Sequence, residues 1–469
     1  MPGKRHIVTV RDQRDSVWQS VVEKVAKRAA IQAAAAPAVS GAPAAAQGIT
    51  APSPAPAAAA ATQGHLADLV DAAHAQVFER DEMLQGRIPV SFSIPAAQAM
   101  QGVPAGAAAE VAVFDATKRC ASLALQMAKA KVFGTADQVK VLQNAFDFNV
   151  CDPFWTKCVD EYVTHFKLGG GVIPYRAGLN NVLPTPVLPN ATIALFGDWG
   201  TGTQEAVDLL QQIKGFNPDI LMHLGDVYYS GTQDEMQERF LDVCDLVFGS
   251  SMPTRFSLSG NHDMYSGGDG YYWLVDQLGQ RASYFAIQND DWLFIAMDTG
   301  VHDFNPLQGG SAASFLNSTE ADWVNNLVAN KGNKKVVFLS HHPLFSAFDP
   351  IGGSSLNSVL LSQLQGSLPS VTAWFWGHEH RLAIYDPFQG VKRGRCLGHA
   401  AVPVFADATG DPPKLAGVPV HRENGNLLDM GVASGVFKHG FAIMTLSGQN
   451  AKVSYYRQGD SGPFWDETF

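Results

Sequence analysis

From residue 193 onward, short apolar runs alternate with stretches of helical periodicity. The runs are 193–196, 220–224, 256–258, 292–297, 336–339 and 373–376. Runs this short, with little polar alternation inside them, fit strands buried on both faces, so the pattern predicts an α/β sheet. Near the end of the chain, 441–446 and 451–457 flank Ser447-Gly448-Gln449-Asn450, which predicts a closing hairpin. The upstream texture is different. Leu66, Leu69, Val70, Ala73, Val77 and Phe78 recur at helical spacing, and further helices are expected near 111–132 and 135–146. A fourth stripe of Trp155, Cys158, Val159, Tyr162 and Phe166 ends at Gly169-Gly170-Gly171. Before these helices, residues 29–62 are dominated by Ala and Pro. Repeated Pro blocks a continuous helix, and Ala buries too little surface to fix a fold. The Pro-punctuated stretch 181–190, NVLPTPVLPN, reads as a connection. The expected division is a tail and linker over 1–62, a helical region over 63–180, and an α/β unit over 190–469.

Composition narrows the function classes. At 469 residues the chain exceeds one ordinary compact domain. Its formal net charge of −11 lacks the basic excess that a nucleic-acid-tracking surface needs. The five cysteines are scattered and form no CxxC pair, so neither a disulfide framework nor a zinc knuckle is expected. One Cys151–Cys158 bridge stays open for an oxidising compartment. No run is long and apolar enough for a membrane span. The N-terminus lacks the central apolar region of a secretory signal, so the expected location is cytoplasmic.

The chemistry lies in the polar clusters at the ends of the apolar runs. After 193–196 comes Gly197-Asp198-Trp199-Gly200, and after 220–224 comes Gly225-Asp226-Val227-Tyr228-Tyr229. After 256–258 comes Ser259-Gly260-Asn261-His262-Asp263, after 336–339 Ser340-His341-His342-Pro343, and after 373–376 Gly377-His378-Glu379-His380. Open α/β sheets bind ligands outside the carboxyl ends of their strands, so these five clusters are expected at one edge. Asp, Asn and His together offer oxygen and imidazole nitrogen without thiolate, which suits iron, manganese, zinc or cobalt. Each cluster alone is ordinary: Gly-Asp after a strand is a common turn, and a lone His is usually structural. His-x-His carries more, because alternate positions share a face.

The ordered series GDxG, GDxxY, GNHD, a strand ending in His, and GHxH resembles the calcineurin-like metallophosphoesterase superfamily over roughly 190–456. The resemblance implies a four-layer α/β/β/α sandwich of two mixed sheets, with a dinuclear metal site at the strand ends. It implies Asp198 and His380 on the first metal, Asp226 as bridge, and Asn261, His341 and His378 on the second. His341 is selected over His342 because the family's ligand stands two residues before Pro. His262 would face the leaving group or a phosphate oxygen as a catalytic residue. Tyr229, three residues after Asp226, resembles the purple acid phosphatase branch, where this Tyr binds ferric iron as phenolate. Two metals are therefore expected: Fe(III) with Fe(II), Zn or Mn if Tyr229 is a ligand, otherwise two divalent ions (Mn, Zn or Fe). Charge balance permits either pair. The chain departs from that branch in having no further His in Leu344 to Pro350, LFSAFDP, and His302 or His399 could substitute from other loops. Asp298 is expected to support the site by hydrogen bonding, and Arg381 to form a surface salt bridge. The implied function is metal-dependent hydrolysis of a small phosphorylated substrate, most simply a phosphomonoester. A phosphodiesterase on the same scaffold, and a binding protein with a vestigial site, are the alternatives.

Overall fold

The computed structural model describes residues 161–162, 165–166, 171–176, 183–305, 313–402, 415, 417–423, 427–428 and 436–469. The linker at 29–62, the first three expected helices and most of the fourth lie outside the described residues, as does the Cys151–Cys158 pair. The unit containing residues 171–306 and 311–469 carries both sheets and all five polar clusters.

Sixteen strands are described in this unit. They are β1 Thr185–Pro186, β2 Thr192–Phe196, β3 Ile220–His223, β4 Thr254–Ser257, β5 Phe285–Gln288, β6 Trp292–Ala296, β7 Lys335–Ser340 and β8 Val371–Trp376, continuing with β9 Leu382–Tyr385, β10 Gly394–Leu397, β11 Val420–Glu423, β12 Leu427–Leu428, β13 Val436–Phe437, β14 Gly440–Ser447, β15 Asn450–Arg457 and β16 Trp465–Thr468. The larger sheet runs β1-β5-β6-β7-β8-β10-β9-β11, the second runs β16-β15-β14-β2-β3-β4, and β12 and β13 pair by themselves as a short antiparallel ribbon. Both sheets are mixed. β2, β3 and β4 are parallel, as are β6, β7 and β8, whereas β14, β15 and β16 are antiparallel. The expected closing hairpin is β14–β15, in register from Gly440↔Arg457 to Ser447↔Asn450.

Helices α1 Gln204–Lys214, α2 Asp242–Phe248 and α3 Asp269–Leu278 cover the outer face of the smaller sheet, and α4 Ser318–Ala329 and α5 Ser358–Leu364 that of the larger. Three apolar cores separate the four layers. Within β2, Ile193 and Leu195 enter the core between the sheets, while Ala194 and Phe196 enter the core under α1 and α2. Within β7, Val337 and Leu339 face the other sheet, and Val336 and Phe338 face α4 and α5. This double burial is why the runs are apolar at every position rather than alternate ones. The fold is thus the α/β/β/α sandwich implied by the resemblance. Among the described residues, no helix is long and apolar enough to cross a membrane.

Candidate metal centre

The five polar clusters come together because strand ends from both sheets are tied to each other. Gly197 N donates to Leu397 O (3.0 Å), Asp198 N to Gly225 O (3.0 Å), and Gly377 N to His341 O (3.1 Å). Asp198, Asp226 and His378 all have positive φ, at 58°, 71° and 67°. Left-handed backbone costs a non-glycine residue on the order of 1 kcal/mol or more, and it clusters at sites where side chains must be aimed. Gly260 is required by close approach, since a Cβ there would run into the Asp226 carboxylate.

Two groups of donors result. Asp198, Asp226 and His380 form one, and His341, His342 and His378 the other, with the donor atoms in each lying within 4.8 Å of one another. Asp226 touches both, because its Oδ2 stands 3.4 Å from His341 Nε2 and 3.3 Å from the Tyr228 hydroxyl. Asn261 joins the second group. Its Nδ2 donates to the Tyr265 hydroxyl (2.7 Å), which fixes the amide with Oδ1 toward His341 Nε2 (3.1 Å) and His378 Nδ1 (2.9 Å).

The donor chemistry fits a cation. His341 Nδ1 donates to the Leu224 carbonyl (2.8 Å), so its neutral form directs a lone pair from Nε2 at the Asn261 oxygen. Acceptor then faces acceptor, beside the Asp226 carboxylate, at full burial. Burial disfavours a charged His341, but Asp226 and Asp198 outweigh it and lift the imidazole to about 9. Burial likewise opposes ionisation of Asp226, yet His341, His262 and His380 hold it well below the usual carboxylate range. The pocket therefore favours positive charge: a proton in the metal-free chain, a metal ion in the loaded one.

A phenol that the motif does not mark, that of Tyr228, stands within hydrogen-bond distance of this cluster. The Tyr228 hydroxyl lies 2.9 Å from Asp198 Oδ1 and 2.9 Å from His380 Nε2. The Tyr229 ring lies instead under the Arg239 guanidinium, 5.6 Å from its centroid. The anchoring of the turn accounts for this. Glu235 accepts the backbone N–H of Tyr229, Ser230 and Thr232, and Arg239 donates to the Tyr228 carbonyl.

The neighbours sort themselves by contact. His262 is buried, its Nδ1 meets the Tyr229 carbonyl at 2.7 Å, and its backbone N–H donates to Asp226 Oδ1 at 3.0 Å. Both ring nitrogens of His342 are engaged, with Thr299 Oγ1 (3.1 Å) and Asp303 Oδ2 (3.2 Å), which separates it from His341. Asp263 takes backbone N–H groups from Asp226, Val227 and Gly260, joining the β3 and β4 ends. Burial, together with the Asp226 charge, raises its carboxyl to about 7. Asp298 accepts from Ser259 Oγ and from the Gly300 and Val301 N–H groups, so it supports the loop carrying Asn261. His302 stacks on Phe315 at 3.8 Å, and His399 is buried beside His439. Arg381 lies over the Phe348 ring at 3.7 Å. Sequence reasoning missed Tyr228, although GDVYY offered two phenols, and it gave Asp263 no single role.

Residues 191–382 match the family model of calcineurin-like phosphoesterases. The family is one of phosphoric ester hydrolases, and it implies a dinuclear metal centre. No curated protein matches the chain. Among solved structures, the chain is similar to a dimetal phosphatase from Danio rerio, at 15% identity over 60% of this chain and 99% of that one, with a TM-score of 0.41. It is also similar to GAP50, the anchor in the inner membrane complex of Plasmodium, at 12% identity over 60% and 88% of the two chains (TM-score 0.42). PhoD is similar at 10% identity over 61% and 70% (TM-score 0.40).

Proposed function

We propose that the chain hydrolyses small phosphomonoesters at a two-metal centre held by Asp198, Asp226, Asn261, His341, His378 and His380, with Tyr228 as a phenol donor beside the first metal. The observation that carries this reading is the convergence of His341 Nε2 and His378 Nδ1 on the Asn261 oxygen, next to Asp226. When bound, the metals supply Lewis-acid polarisation of phosphate oxygens and acidify a water.

The remaining work falls to the chain. The Leu224 carbonyl keeps the proton of His341 on Nδ1, and so keeps Nε2 as a donor atom. The Tyr229 carbonyl does the same for His262, so His262 Nε2 is the atom that exchanges a proton with the leaving oxygen. Asp263 fixes the turn that carries both Asp226 and His262. The tie from the His378 backbone N–H to Asp198 Oδ2 (2.9 Å) keeps the first and last clusters in register.

The test is elemental analysis with a panel of phosphomonoesters and phosphodiesters, run on wild type and Asp226→Ala. The expected outcome is two metals per chain and monoester turnover, both lost in the variant while the circular dichroism spectrum is retained. Preferential turnover of diesters transfers the reading to a phosphodiesterase. Equal turnover by a metal-free Asp226→Ala chain removes the two-metal reading altogether.

A further inference from the structure

A second cavity, of about 430 Å³, opens where β9 ends, β10 begins, and β11 and β16 pass beside them. It belongs to the opposite end of the sheet from the metal cluster. β9 and β10 are antiparallel, with Leu382↔Leu397 at the end next to His380 and Ile384↔Arg395 at the other. The cavity is lined by residues at and beyond that second end: Tyr385, Asp386, Lys392, Arg393, His421 and Trp465 among them. None of these groups takes part in the proposed hydrolysis.

Its chemistry is that of a pre-built site for an anion. Arg395, only 5% exposed, is clamped by a two-pronged pair with Glu467 (2.7 and 2.8 Å) and donates to the Tyr385 and Gly394 carbonyls. The Tyr455 hydroxyl holds Glu467 from behind at 2.6 Å. Arg395 is thereby a satisfied scaffold, and its charge is largely offset by its partner. Lys392 and Arg393 are not spent in this way. Lys392 Nζ donates to the Pro369 carbonyl, and Arg393 NH1 donates to Thr372 O with its Nε 3.7 Å from Glu467. An ammonium has three donors and a guanidinium five, so both retain donors for a ligand. With Arg395 and Glu467 offsetting each other, Lys392 and Arg393 stand against one further carboxylate, Asp386, which lies 3.4 Å from the lining His421, on a chain whose formal charge is −11. The same wall offers apolar surface from Pro387 and the partly exposed Trp465, with the buried Ile384 behind them.

We infer that this cavity binds a small amphiphilic anion: a flat apolar body against Trp465 and Pro387, with one anionic head, carboxylate or phosphate, on Lys392 and Arg393. Such a ligand is distinct from the hydrolysed ester and would occupy the chain together with it.

The experiment is calorimetric titration of the full-length protein with 2-naphthoate and, separately, with phenylphosphonate, which distinguishes a carboxylate from a phosphate-type head. Acetate and 2-naphthalenemethanol serve as the head-only and body-only arms. The expected result is one saturable site for 2-naphthoate or phenylphosphonate that neither control arm reproduces. Arg393→Glu and the exposed-rim variant Lys392→Glu should each weaken binding roughly ten- to hundredfold, the range for a lost charge-assisted hydrogen bond. Turnover at the metal centre, which uses neither residue, reports that the variants are folded. Failure of both ligands to bind wild type overturns the inference. So does binding that survives unchanged in both folded variants, or equal binding by a control arm.

Discussion

His262 is held at two atoms, its ring Nδ1 at the Tyr229 carbonyl and its backbone N–H at Asp226. In the proposed mechanism such an imidazole would act on substrate without ligating metal. His262→Ala is therefore expected to retain both metals while the catalytic rate falls by about 10²-fold or more. Metal content measured beside kcat checks this, and unchanged turnover with every phosphoester tried removes His262 from the mechanism. A second test at this scale concerns the phenol. A hard trivalent ion best stabilises phenolate, so a ferric first metal bound by Tyr228 would give a charge-transfer band in the iron-loaded, oxidised protein. Tyr228→Phe should abolish the band and weaken iron retention, whereas Tyr229→Phe, whose ring lies beside Arg239, should keep it. The reverse pattern reinstates Tyr229, and a colourless wild type removes a ferric phenolate from the site.

The strand is the element that makes this site, because each cluster begins where a doubly buried run ends. That is also why the runs of β2, β3, β4, β6, β7 and β8 are legible in the sequence: both faces need apolar residues, so no polar position interrupts them for long. β10, β11 and β16 are not legible in the same way. β10 carries Arg395, buried only by virtue of its pair with Glu467, and β11 and β16 are edge strands rich in charged residues. The candidate ligands are legible as residue types after strands, but the direction of a phenol in GDVYY depends on Glu235 and Arg239, which no local pattern announces. The β10–β14 junction also makes the fold sensitive to acid. Burial pushes His399 down to about 3 and His439 down to about 4, with neighbouring imidazoles adding to the effect on each. The unfolded chain protonates both near their ordinary value of about 6.5, whereas the folded chain keeps them neutral to well below that. More protons are then bound by the unfolded state, so stability is lost as pH falls below about 6.5 and continues to fall toward 4. His439→Gln, which keeps a donor for the His399 carbonyl but does not titrate, should reduce the drop in Tm between pH 7 and pH 5. Parallel wild-type and variant melting curves over that range would exclude His439 as a source of acid sensitivity.

At the scale of the whole molecule, the chemistry is concentrated in one part of a long chain. Every proposed ligand lies between Asp198 and His380, inside the 191–382 segment that matches the family. Among the described residues, the buried members of the three cores run from Ala191 onward, with Ile173, Tyr175 and Val187 packed against them, and the last strands, β14 to β16, close the smaller sheet on β2. The Ala- and Pro-rich sequence of 29–62 offers neither a metal donor nor apolar side chains larger than Ile31 and Ile49. Deleting residues 1–62 is therefore expected to leave metal content, melting temperature and turnover of a small phosphomonoester nearly unchanged. The measurement is elemental analysis, a thermal melt and steady-state kinetics on the truncated protein beside the full chain. A truncated protein that melts normally and retains both metals but has lost turnover would mean that the N-terminal segment reaches the substrate. In that case the catalytic unit must be redrawn to include it.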